Sequence, residues 1–211
     1  MKKQIFFTNW QFLTGAHNFK QLPVYRNPEF AFAGASNVGK STLVNILLEQ
    51  KLAITSRTPG RTQQINFFIS SNFDNPQSPV IVDMPGYGFA KASKKAIGNW
   101  QELAINYLTN RKNLQRVFLL IDPQKGLKTA DLEVCNILAA VAMPFQILLT
   151  KTERHSEAEI TEATSKINEQ LKNNAAWFNK IIVTSSLRNI GIDDIRQEII
   201  TILNNLFHKS S

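Results

Sequence analysis

Residues 34–41 read Gly34, Ala35, Ser36, Asn37, Val38, Gly39, Lys40, Ser41, which satisfies the spacing G-x-x-x-x-G-K-[ST] in full. A short apolar run precedes this stretch, and aliphatics at helical spacing follow it. Glycines let a loop turn tightly enough for successive backbone N–H groups to face inward on phosphate oxygens. The positive end of the following helix adds to that field. Lys40 at this spacing reaches the β- and γ-phosphates of a nucleotide, and the Ser41 hydroxyl ligates Mg²⁺. The plain alternative, a glycine-rich turn capped by a serine, is disfavoured by the strand–loop–helix context.

A second constellation lies downstream. "VIVDMPG" sets Asp83 at the end of an apolar run, with Met84 and Pro85 leading to Gly86. This D-x-x-G suits an acid that holds Mg²⁺ through water and a glycine N–H that meets the γ-phosphate. "QILLTKTE" ends another apolar run in Thr150, Lys151, Thr152 and Glu153. In GTPases a T/N-K-x-D here reads guanine: the acid accepts from N1–H and the exocyclic amine, and the lysine stem covers the base. This chain carries Glu153 at the acid, one methylene longer. "IIVTSS" supplies Thr184, Ser185 and Ser186, where the backbone around Ser185 is expected to meet the guanine O6. Between the first helix and the next strand runs "TSRTPGRTQQ", with Thr55, Thr58 and Thr62 as candidates to complete the Mg²⁺ shell when a γ-phosphate is present. Thr62 is chosen as the nearest to the following strand.

These groups need a scaffold that brings five loops to one edge. Apolar runs at 30–34, 65–70, 79–83, 116–122, 145–150 and 180–184 alternate with helical patterns near 40–50, 94–112, 128–142, 156–174 and 191–207. Such alternation predicts an α/β fold, a six-stranded and mostly parallel sheet with helices on both faces. Ile97, Trp100, Leu103, Tyr107 and Leu108 recur at three- and four-residue steps, as do Ile192, Ile195, Ile199, Leu203 and Leu206, and both sets are expected in the core. "SSNFDNPQSP" (70–79) has the composition of a turn between two strands. Residues 1–28 are expected to be an N-terminal extension packing on one domain that runs from 29 to 208.

Composition narrows the class. The 211 residues are 43% hydrophobic and 19% charged, enough for one sizeable core. A single cysteine, Cys135, excludes an internal disulfide framework and any multi-cysteine zinc site. Its apolar neighbours suit a buried thiol. His17, His155 and His208 lie far apart and are expected in surface or packing roles. "MKKQIFFTNWQF" lacks an apolar core of signal-peptide length, and no run approaches the ~18 apolar residues of a membrane span. A soluble, cytoplasmic protein is expected. The formal charge of +8 favours polyanionic partners, nucleic acid foremost, although charge also serves solubility.

The order of these motifs resembles the EngB (YsxC) family of bacterial ribosome-assembly GTPases, within the TrmE–Era–EngA group. The marks are "GASNVGKST", "TPGRTQQINFF", "DMPGYGFA", Trp100 before "YLTNR", "LLID" and "LTKTE", and the likeness covers nearly the whole chain. The resemblance implies a P-loop NTPase of the Ras-like GTPase type that binds GTP and GDP. Its nucleotide site would comprise 34–41, then Gly60, Arg61, Thr62, Gln63 and Gln64, then 83–86, 150–153 and 184–186, with Mg²⁺ held by Ser41 and Thr62. Lys40, Thr62 and Gly86 would serve catalysis. The family also carries an arginine where this chain has Gln124.

The implied role is a switch in assembly of the large (50S) ribosomal subunit, meeting rRNA, needed for normal cell division and septation. A monomer without DNA or membrane partners is expected. Hydrolysis is expected to be slow, because Tyr87 stands where Ras-type enzymes carry a water-orienting glutamine. Asn37 has two readings, a ligand to a K⁺ ion that supplies charge in the transition state, or loop geometry. Lys91, Lys94 and Lys95 are either a contact to rRNA phosphates or a solvated helix face. A rival class is a nucleotide-sensing protein-interaction module at the division septum with no RNA contact.

Overall fold

Successive residues of a strand face opposite sides of a sheet, and the central strands here carry apolar side chains on both. Phe30, Phe32, Phe118 and Leu120 line one core, while Ala31, Ala33, Val117 and Leu119 line the other. Only a sheet covered by helices on both faces can bury such strands. The structure, a computed structural model, describes residues 9–53, 64–87 and 94–208, with 94–101 and 208 as backbone alone. Thr55, Thr58, Gly60, Arg61, Thr62, Gln63 and Lys91 lie outside the described residues, as do the side chains of Lys94, Lys95, Ile97 and Trp100.

In chain order the elements are β1 (Gln11–Ala16), β2 (Glu29–Gly34), α1 (Lys40–Leu47), β3 (Ile65–Ile69), β4 (Val80–Asp83), α2 (Lys94–Asn110), β5 (Leu114–Ile121), α3 (Thr129–Ala140), β6 (Phe145–Leu149), α4 (Glu157–Leu171), β7 (Ile182–Val183) and α5 (Ile192–His208). Short 3₁₀ turns stand at Phe19–Gln21 and Thr152–Arg154. The sheet order is β1-β3-β4-β2-β5-β6-β7. Strands β4, β2, β5, β6 and β7 pair in parallel, and β3 runs antiparallel to both β4 and β1.

The sheet therefore has seven strands rather than six. The added strand, β1, comes from the stretch read as an extension. Its sequence, QFLTGA, is mostly exposed or half-buried and carries a register shift between Phe12 and Thr14, so it offers no continuous apolar run to detect. All five predicted helices are present. α1 and α5 place Leu43, Leu47, Ile195, Ile199 and Leu203 against one face; α2, α3 and α4 place Tyr107, Leu138, Ile167 and Leu171 against the other. Leu206 departs from its expected place and is 37% exposed, while the neighbouring Phe207 packs against the core instead. Cys135 is buried in the α3 core, and burial with Asp131 nearby pushes its thiol up to about 12, so it is inert at neutral pH.

A buried ion cluster fixes the edge remote from the strand carboxyl ends. Glu29, fully buried at the start of β2, accepts from Arg111 Nη2 at 2.5 Å and Nε at 2.9 Å, and from the Tyr107 hydroxyl at 2.7 Å. Arg111 also donates to the Pro23 carbonyl at 2.8 Å, so one guanidinium joins α2 to the chain entering β2. Burial, then the Glu29 charge, holds the Tyr107 hydroxyl well above its ordinary pKa, and it stays a donor. Tyr107→Phe should leave a Glu29 oxygen short of one partner and lower stability by about 1–3 kcal/mol. Denaturant unfolding that matches wild type would show the bond to be dispensable.

Candidate functional site

Strand order reverses at β2: the chain leaves it through α1 towards β3 and β4, then returns to the other side for β5. Ligands of open α/β sheets bind outside the strand carboxyl ends at such a point, and residues 34–41 follow β2 there. Gly39 caps α1 with φ 105°, a left-handed backbone that a side chain strains, which is why the loop needs glycine at this step. Lys40 and Ser41 open the helix, so their side chains point back towards the loop. The helix N-terminus and the loop amides make an anion cradle.

Asp83, at the end of neighbouring β4, reaches this cradle. Its carboxylate is 1% exposed, pairs with the Lys40 ammonium, and accepts from the Ser41 hydroxyl at 2.9 Å. A hydroxyl beside a buried carboxylate is a set of hard oxygens suited to Mg²⁺, which keeps waters and phosphate oxygens as its other ligands. When phosphates fill the loop, the ammonium has anionic oxygens to meet in place of Asp83. Gly86 packs so closely on the loop that a Cβ there would come within 2.9 Å of Ser36 Oγ. The two segments are stitched by backbone: Ser36 N–H donates to the Tyr87 carbonyl at 3.1 Å, and Tyr87 N–H to the Gly34 carbonyl at 3.3 Å.

Tyr87 is held at its far end too. Its hydroxyl donates to Asp131 at 2.5 Å, and Asp131 also accepts from Lys128 N–H at 2.8 Å where α3 begins. Burial, then the Asp131 charge, raises the Tyr87 hydroxyl well above its ordinary range. The ring is thus a strut from the phosphate loop to α3, with no amide to offer a water.

The base-reading loops arrive from β6 and β7. Thr150 Oγ1 donates to the Val38 carbonyl at 2.9 Å and ties this loop to the phosphate loop. Lys151, with φ 57°, extends its ammonium to the Asn37 carbonyl at 2.8 Å. Thr152 Oγ1 donates to the Thr184 carbonyl at 2.9 Å, and Thr184 Oγ1 to the Leu149 carbonyl at 2.8 Å, so both threonines serve to clamp the two loops. Ser156 then caps α4 in a reciprocal box with Glu159, which fixes where the chain leaves the loop.

Glu153 is held by its neighbour across the clamp. Ser185 Oγ donates to Glu153 Oε2 at 2.6 Å. Burial alone would push this carboxyl up, but the Ser185 bond, its own backbone N–H and the charges of Arg154 and Arg188 hold it below its ordinary pKa. It is therefore an ionised, pre-aimed acceptor at neutral pH. The sequence assigned Ser185 only a backbone role; its hydroxyl as the support of Glu153 is new. The serine directly after Thr184 was visible, but its partner lies 32 residues away.

The structure brings 34–41, Asp83, Gly86 and the loops at 150–153 and 184–186 to one edge. Two predicted residues have other uses. Met84 is 2% exposed and packs in the core. Gln64 turns to the outer edge, where Nε2 donates to Asn66 at 2.7 Å and the amide lies against Gly15 of β1.

A family model described as 50S ribosome-binding GTPase matches residues 29–151. A probable GTP-binding protein EngB from Bartonella bacilliformis is 40% identical over 201 residues, 93% of this chain and 94% of the relative. Another, from Mesorhizobium japonicum, is 40% identical over 205 residues, 95% and 97% of the two chains. Among solved structures, a probable GTP-binding protein EngB superposes with a TM-score of 0.63 at 21% identity, over 84% of this chain and 99% of that one. Era in complex with MgGDPNP and a 16S ribosomal RNA segment gives 0.66 at 24% identity, over 85% and 57%. These two bear on the fold, whereas the sequence relatives agree along nearly the whole length of both chains. That agreement decides the family: the chain belongs to the EngB GTP-binding proteins, P-loop GTPases that take GTP and GDP as ligands.

Proposed function

We propose that this GTPase is a switch in assembly of the large ribosomal subunit, acting in the cytoplasm as a monomer, with Mg²⁺ at Ser41 and Thr62 and Asp83 holding it through water. The reading rests on one observation above the others: the phosphate loop, Asp83 and an ionised Glu153 clamped by Ser185 converge at a single sheet edge. The family model's description, a 50S ribosome-binding GTPase, and the charge of +8 support the choice of partner. Among the described residues no helix is long and apolar enough to cross a membrane.

In the proposed cycle Lys40 binds the β- and γ-phosphates and Gly86 N–H meets the γ-phosphate. Mg²⁺ supplies neutralisation of charge on the leaving diphosphate. Water attacks the γ-phosphorus, the bond to the β–γ bridging oxygen breaks, and GDP and phosphate remain. With Tyr87 tied to Asp131, the position after Gly86 offers no amide to orient that water, and a slow intrinsic rate is expected. Hydrolysis compared in KCl and NaCl separates the two readings of Asn37: faster turnover with potassium assigns it to the ion, and equal rates assign it to loop geometry.

Cosedimentation with 50S particles tests the partner. Binding should be stronger with a non-hydrolysable GTP analogue than with GDP, and should fall steeply between about 50 and 200 mM salt as phosphate contacts are lost. Absence of pelleting in either nucleotide state at low salt would favour a protein-interaction module at the septum. In the proposed reading, a division defect on depletion follows from failing ribosome supply.

A further inference from the structure

Asp122 is a buried carboxylate that none of the nucleotide motifs uses. It follows β5 directly, and the parallel register Ile121↔Leu149 makes residues 122 and 150–151 leave adjacent strands together. Its side chain is 9% exposed, and Oδ2 stands 3.2 Å from Lys151 Nζ. The same ammonium donates to the Asn37 carbonyl at 2.8 Å. Asp122 Oδ1 accepts from Gln124 N–H at 3.2 Å and lies 3.8 Å from His155 Nε2.

We infer that Asp122 is a positioning residue for guanine-nucleotide binding: it anchors the Lys151 ammonium so that the lysine stem stays stretched between the base loop and the phosphate loop. A lysine stem has four rotatable bonds, and one carbonyl acceptor leaves its ammonium free to swing into water. A second, ionic acceptor removes that freedom before the nucleotide arrives. Preorganisation of this kind raises affinity without adding a contact to the ligand. The carboxylate touches Lys151 and not the reacting phosphate, so binding depends on it and the chemical step does not. The inference rests on the guanine-nucleotide reading of the 150–153 loop.

A double-mutant cycle on the full chain tests it, with fluorescently labelled GDP and GTP as probes. Asp122→Asn keeps the acceptor for Gln124 N–H and removes the charge. It should weaken both nucleotides by about tenfold, the size of one charge-assisted bond. Turnover at saturating GTP should stay within about twofold of wild type, since only uniform binding is lost. In a Lys151→Ala background the same substitution should change affinity by less than about twofold, because the anchored group is gone. Asp122→Glu, which retains charge, should recover part of the loss and provides the cycle if Asp122→Asn folds poorly. Losses that multiply in the double variant would overturn the proposal and assign Asp122 to its own turn. Wild-type protein that fails to bind labelled GDP would overturn the guanine reading itself, a result separate from the cycle.

Discussion

Lys40→Ala should lose nucleotide binding almost completely, and should also melt earlier with no nucleotide present. Two charge-assisted bonds to phosphate oxygens, at roughly 1.5–3 kcal/mol each, correspond to a fall in affinity of about 10²- to 10⁴-fold. The second effect comes from the structure. Lys40 is 7% exposed and pairs with an Asp83 carboxylate that is 1% exposed, so its removal leaves a buried carboxylate with the Ser41 hydroxyl as its remaining side-chain partner among the described residues. Breaking a buried pair on one side costs about 3–5 kcal/mol. Adding Asp83→Asn to Lys40→Ala should restore much of that stability and none of the binding. Calorimetry of the nucleotide-free proteins, with and without GDP, reads both quantities. A Lys40→Ala protein stabilised by GDP as much as wild type would refute the phosphate-loop assignment.

Glu153→Ala should weaken GDP binding by at least about a hundredfold and erode discrimination against ATP, since guanine N1–H and the exocyclic amine each lose a charged acceptor worth about 1.5–3 kcal/mol. Adenine presents a lone pair at N1, which a carboxylate repels, so the wild type should favour GTP over ATP by well over tenfold. Ser185 already holds Glu153 Oε2 at 2.6 Å, which aims the longer side chain and limits what its extra methylene loses. Glu153→Asp should therefore gain little and could fall short of the serine. Ser185→Ala isolates this support and should weaken GDP by about tenfold or less. Because the Glu153 carboxyl is held below its ordinary pKa, its acceptor charge is present above that range and is lost as pH falls through the lowered value. Titrations with labelled GDP, ATP and ITP decide the matter. Unchanged GDP affinity in Glu153→Ala would mean that another residue reads the base.

What the sequence revealed and what it hid divide along physical lines. Gly39, Lys40 and Ser41 are legible because the chemistry requires them at fixed spacing along one strand–loop–helix turn. The central strands are legible because burial on both faces demands continuous apolar runs. Contacts between distant loops are not encoded that way. Lys40 meets Asp83 across 43 residues, Lys151 meets Asp122 across 29, and Tyr87 meets Asp131 across 44. Each pair becomes visible only once strand order sets which loops are neighbours. Asp122 carried a faint signal, an acid closing an apolar strand beside the lysine-bearing one. β1 was hidden for a different reason: half-exposed edge strands need little hydrophobicity, and this one mixes Thr and Gly with its apolar residues.

β1 has one more consequence, for how a partner can sense the nucleotide. β3 begins at Ile65, three residues after Thr62, and it lies between β1 and β4 with both of its hydrogen-bonding edges taken. A binding protein therefore cannot dock by extending the sheet from β3, the strand best placed to report on that segment. On this side of the sheet the edge strand among the described residues is β1, and the register shift between Phe12 and Thr14 breaks its regularity as a template. In the proposed reading, a partner that senses the GTP state beside β3 meets loops and helix surfaces, which suits an irregular, charged target better than a strand-forming peptide.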